Sequence, residues 1–194
     1  MSTVATTALL AAGLRLAAAH APYPDGAPAG FSGGFKEDSC LACHFSQEPN
    51  AAPGRVSIDG APAAYQSGQR YTITITLHRA GMKLAGFQLT ARFKENGAQA
   101  GELAPASADH ARVGISDDGK VKYAGQKKEG TLLGDPGIAR WSVEWTGPSG
   151  GGAVIFHVAA NAADGDGTTG GDYIYTAIAE APPMQESFVH QLHE

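Results

Sequence analysis

The chain has 194 residues and a formal net charge of -5, with no lysine-arginine block, so a phosphate backbone is repelled rather than bound and nucleic acid is a poor partner. It is 43% hydrophobic and 17% charged, with 26 glycines and 11 prolines, a composition that disfavours long charged helices and favours short strands joined by frequent turns. The length suffices for one domain with a real core and a short appendage.

Residues 1–21, "MSTVATTALLAAGLRLAAAHA", hold an apolar run with no acidic residue and end in Ala19-His20-Ala21, the pattern of a secretory leader cleaved before Pro22. Arg15 lies inside the run rather than ahead of it, which departs from the usual leader. The run is too short and interrupted for a membrane span, and the expectation is an exported protein of the periplasm or cell surface with no span in the mature chain.

Residues 22–54 are rich in Pro, Gly and Ala and show neither helical nor strand periodicity, so an irregular arm is expected there. The arm carries "SCLACHF", with both cysteines of the chain, Cys40 and Cys43, and then His44. Covalent haem attachment requires two thiols for the two vinyl groups and an imidazole beside the second thiol to reach the iron, and C-x-x-C-H supplies all three. A redox dithiol of the thioredoxin type would need a strand-then-helix setting, which these glycine-rich flanks lack. A thiolate metal site would need further ligands at matching spacing. A plain disulfide in an oxidising compartment is the bland alternative.

From Arg55 the pattern turns to strands. "RYTITITLH" alternates Tyr71, Ile73, Ile75 and Leu77 with Thr72, Thr74, Thr76 and His78, and "GFQLTARF" aligns Phe87, Leu89, Ala91 and Phe93. Further strands are predicted at 55–58, 111–115, 121–124, 139–146, 153–160 and 173–179, separated by "DDG", "DPG", "GPSGGG" and "DGDGTTGGD". About eight short strands at this spacing close most naturally as a β-sandwich over 55–180, with 181–194 a tail. No internal repeat is present. Neither G-x-S-x-G nor H-E-x-x-H occurs, "SDDG" reads as a turn, and a non-enzymatic protein is expected.

A second iron ligand would decide what a haem does here: a thioether raises its potential, an imidazole lowers it, and an open position admits small ligands. Met82, in the loop "AGMKLAG", is the leading candidate, with packing at the end of the sandwich as its plain alternative. His157 follows, on a strand face with Ile155 and Ala159; His78 continues a polar threonine face and reads as surface. His110, Met184, His190 and His193 complete the list. In the turn "DGDGTTGGD", Asp164, Asp166 and Asp172 could gather oxygen ligands for calcium, but the other ligands of an EF-hand loop are missing and a tight turn is the default.

"GQRYTITITLHRAGMKLAGFQLTARF", "AGEL" and "ARWSVEWTGPSGGGAVIFHVAANAADGDGTTGGDYIYT" resemble the bacterial form of the Reeler, or reelin-like, domain, also called the choice-of-anchor V domain, over about residues 55–180. The resemblance implies an immunoglobulin-like β-sandwich preceded by a haem-binding C-x-x-C-H segment, which "EDSCLACHF" matches. It also implies a histidine, as possible haem ligand, in a "Y-x-x-H-T" stretch; here "KYAGQKKEGT" puts Gln126 in its place, which strengthens Met82 or leaves the iron five-coordinate. The combined expectation is an all-β, immunoglobulin-like, Reeler-like sandwich behind an irregular arm. It would be an exported monohaem c-type cytochrome with one covalent haem c on Cys40 and Cys43, His44 proximal and Met82 distal. Its partner would be a redox protein, among them other cytochromes or copies of itself. A haem-based small-ligand sensor and a non-haem adhesion module with a C-x-x-C disulfide are the alternatives.

Overall fold

The computed structural model describes residues 23–106 and 110–185; the expected leader, His190 and His193 lie outside the described residues. Nine strands follow one another: β1 (Arg55–Asp59), β2 (Arg70–His78), β3 (Leu84–Phe93), β4 (Glu102–Pro105), β5 (Ala111–Ile115), β6 (Lys122–Gln126), β7 (Ile138–Thr146), β8 (Val154–Ala163) and β9 (Tyr173–Ala181). They form a four-stranded sheet, β1-β2-β7-β4, and a five-stranded sheet, β5-β6-β3-β8-β9, with every ladder antiparallel. The expected all-β, immunoglobulin-like sandwich is therefore the fold.

Period-2 alternation explains the core. Ile73, Ile75 and Leu77 of β2 and Trp141, Val143 and Trp145 of β7 project inward from one sheet, and Phe87, Leu89, Phe156 and Val158 meet them from the other. Phe87 stacks on Trp141 and Phe156 packs edge-on against Trp145; the two indole N–H groups donate to Gly130 O and Ala100 O, so neither buried ring leaves a donor unpaired. One strand escapes the sequence reading. β4 is four residues long, ends in a proline and pairs along one side only, so "ELAP" has too little alternation to register.

The arm from Tyr23 to Gly54 has no strand, but it lies packed across the outer face of the five-stranded sheet. Gln88 on that face accepts from Phe31 N and donates to Pro28 O. Glu37 accepts from Ser32 Oγ, Tyr123 Oη and Arg92 Nη1, while Phe35 sits edge-on to His157 and under the Arg92 guanidinium. Farther along, Asn50 pairs with the backbone of β9 at Ile174 and Thr176. The cover explains why β3 and β8 bury residues on both faces, a pattern expected of strands packed on two sides. Among the described residues no helix is long and apolar enough to cross a membrane.

Candidate functional site

Cys40–Ala42 form one 3₁₀ turn capped by Ser39, whose Oγ accepts from Leu41 N. Its hydrogen bonds tighten around Cys40 O, which receives both Cys43 N at 3.2 Å and His44 N at 2.9 Å. Residues three and four apart in a helical turn share one side, so Cys40, Cys43 and His44 face the same way. All three line a single cavity of about 320 Å³, within the size range of small-molecule and cofactor sites. Its other walls are mostly apolar, drawn from the arm (Pro24, Phe31) and from β3 (Leu84, Ala85, Phe87).

Both cysteines are free thiols. The Cys40 thiol is pushed up to about 12, chiefly by burial, with a backbone hydrogen bond opposing the rise and the neighbouring Cys43 adding to it. At neutral pH Cys40 is thus a neutral thiol, the reverse of the lowered value that makes an exposed dithiol reactive.

His44 is held by a residue 128 positions away. Its Nδ1 lies 2.6 Å from Oδ2 of Asp172, which is 1% exposed, at the entry to β9. The second carboxylate oxygen, Oδ1, accepts from Asp164 N at 3.1 Å, and Asn161 Nδ2 reaches Oδ2 at 3.4 Å. Asn161 also lies against the imidazole edge, 3.3 Å from Nδ1 and 3.4 Å from Nε2, while its own Oδ1 is buried with no partner. The loop before Asp172 is a ladder of side-chain acceptors each closing a turn two residues on: Asp164 Oδ1 takes Asp166 N, Asp166 Oδ1 takes Thr168 N, and Thr168 Oγ1 takes Gly170 N. Those backbone bonds hold the Asp166 carboxyl below its usual range, and the acidic turn reads as self-closed. Ser46, two residues after His44, ties the two segments together by accepting from Gly171 N.

The other predicted ligands are not gathered here. Met82 is 5% exposed and belongs to the sandwich core, and it does not line the cavity. The loop after β2 folds over the end of the sheets and turns the thioether inward, the packing role foreseen as its alternative. His78 ends β2 in the opposite, four-stranded sheet, where partial burial and the nearby Arg55 and Arg140 lower its pKa. His157 does lie on the arm-covered face, but beneath Gly34 and Phe35 rather than in the cavity. Gln126, by contrast, is a wall residue, its Oε1 accepting from Phe87 N and its Nε2 donating to Tyr23 O. It fits there because β3 has no side chain at Gly86, where a Cβ would stand 3.0 Å from Gln126 Nε2. The sequence does not single out Asn161, and it offers Asp172 only with Asp164 and Asp166 as a calcium ligand; nothing local in "DGDGTTGGD" marks its last aspartate as a partner of His44.

No family model matches the chain, and no curated protein matches it by sequence. Among solved structures it is similar to the human F-spondin reeler domain, at 16% identity and a TM-score of 0.47, over 71% of this chain and 93% of that one. It is similar to the Reelin-N domain of F-spondin at 18% identity and 0.49, over 75% and 96%. A cohesin module from a Clostridium perfringens family 33 glycoside hydrolase follows at 12% and 0.48, over 69% and 98%. These are likenesses of fold; nothing about ligands or partners passes from them to this chain.

Proposed function

We propose that the chain is an exported monohaem c-type cytochrome, in which Cys40 and Cys43 would hold one haem c and His44 would be an iron ligand, exchanging single electrons with a partner protein. One observation carries the reading: both thiols and the imidazole converge from a single turn on one largely apolar cavity, and the imidazole nitrogen not needed for a metal is already taken by a buried carboxylate. The donor set suits the group: two unpaired thiols at the required spacing and an imidazole line the same cavity. When bound, haem supplies a one-electron couple. Phe31, Leu84 and Phe87 supply apolar walls, and the β3–β8–β9 ladders under the arm form a rigid base, so little would have to rearrange between oxidation states. Other cytochromes or further copies of this chain are the partner classes proposed, in the periplasm or at the cell surface.

A second reading is favoured by the placement of Met82. Among the described residues lining the cavity, His44 is the single imidazole and no thioether is present. A five-coordinate haem that binds a small neutral ligand would use the same thiols and imidazole.

Optical spectra of protein exported from a host that matures c-type haem, with and without carbon monoxide, test both readings. Colour that persists through denaturation, and is abolished when Cys40 and Cys43 are both changed to Ala, supports attachment. A reduced spectrum indifferent to carbon monoxide favours the electron carrier, whereas a high-spin spectrum that shifts favours the ligand binder. A colourless product would leave a binding module with a C-x-x-C disulfide.

A further inference from the structure

We infer that Asp172 is the positioning residue for His44: its carboxylate fixes the imidazole as the Nδ1–H tautomer, leaves Nε2 for the haem iron, and by its negative charge holds the reduction potential down. The inference rests on the covalent-haem reading above.

The geometry supplies each part. A carboxylate oxygen 2.6 Å from Nδ1 is an acceptor and calls for a ring proton on Nδ1; in the neutral ring Nε2 then keeps its lone pair, met here by Asn161 Nδ2 only at a long 3.4 Å. Asp172 is itself held, by Asp164 N on its other oxygen and by the β8–β9 ladder that begins one residue later at the Ala162–Tyr173 pair. The turn leading to it is shaped for this placement. Gly171 has a φ of +79°, and a Cβ there would come 2.5 Å from Asp164 Oδ2. Among the described residues no Lys or Arg pairs with Asp172; its one ion-pair partner is His44. The charge is therefore spent on the imidazole. An imidazole donating to a buried carboxylate is more basic and gives more electron density to a metal, which stabilises the oxidised state.

A structural anchor alone would need only Oδ1, which closes the turn at Asp164; the bond from Oδ2 to His44 adds nothing to the turn. The two roles separate in the holoprotein. Asp172→Asn keeps the shape and an oxygen for Asp164 N–H while removing the charge, so its reduction potential is expected to rise above the wild-type value. Ser46→Ala, which loosens the same turn without touching that charge, is expected to leave the potential in place. In the oxidised wild-type protein, NMR should find the ring proton of the His44 imidazole slow to exchange with solvent. That reading needs no variant, and it decides the matter if Asp172→Asn fails to mature. An unchanged potential in Asp172→Asn with haem attached, or a freely exchanging ring proton in the wild type, overturns the inference. Wild-type protein that carries no covalent haem would instead sink the parent reading, and this one with it.

Discussion

Met82 packs in the sandwich core, while Gln126 lines the cavity beside Cys40, Cys43 and His44. A methionine in a glycine-preceded loop looks free to project, and only the closure of the sandwich shows its thioether spent on packing. Met82→Leu, a volume-conserving change in the core, is expected to cost under about 1.5 kcal/mol and to leave the haem spectrum unaltered. Loss of low-spin bands in that variant would contradict the placement. Gln126 stands on the cavity wall where the Reeler resemblance puts a histidine. Gln126→His is accordingly expected to add a second imidazole ligand, giving low-spin bands that carbon monoxide does not shift; a spectrum identical to the wild type would count against a ligand approach from that wall. Cys40, Cys43 and His44 were legible as a group because C-x-x-C-H places two thiols and an imidazole within five residues. The tie of Asp172 to His44 was not, because a contact across 128 residues of chain leaves no local pattern.

At the scale of elements, the arm's attachment is what the site depends on. Glu37 accepts from Arg92, Tyr123 and Ser32 at once, with Arg92 and Glu37 both largely buried. Burial and the adjoining Glu37 push the Tyr123 phenol up, so it remains a donor throughout the neutral range. Glu37→Ala would strand the guanidinium in a dry setting, and a loss of about 3 kcal/mol is expected, read as a lowered midpoint in urea with faster proteolysis of the arm. A midpoint equal to wild type would show that the arm is held elsewhere. His157 contributes a pH dependence to the same contact. Burial lowers its pKa, offset in part by Glu37 and reinforced by Arg92, so the folded state binds fewer protons than the unfolded one. Stability should be full above the ordinary histidine value of 6.5 and fall as pH drops below it. His157→Gln should flatten that fall in melting temperature between pH 7.5 and 5, and an unchanged slope would assign it to other groups. The strands themselves were readable from alternation. The arm's docking was not, since a segment without periodicity gives no sign of what it covers; apolar residues on both faces of β8, Ile155 and Ala159 on one and Val154, Phe156 and Val158 on the other, were the available clue.

For the whole molecule, the sandwich acts as a frame: one face of one sheet carries an irregular strap, and the strap holds Cys40, Cys43 and His44. The all-β class follows from composition and turn spacing, because two-sheet packing needs little beyond inward alternation and closely spaced turns. Function is not fixed at that scale, since the same sandwich serves unrelated proteins, and it rests instead on what the strap holds against the sheet. The central claim is a covalent haem on Cys40 and Cys43, and the most direct measurement is the intact mass of the exported protein after denaturation, taken from a host that matures c-type haem. The account predicts the mass of the mature chain plus one haem, with the added mass traced by proteolysis to the peptide holding Cys40 through His44. The bare mass of the chain, with the two cysteines joined to each other or free, would contradict it.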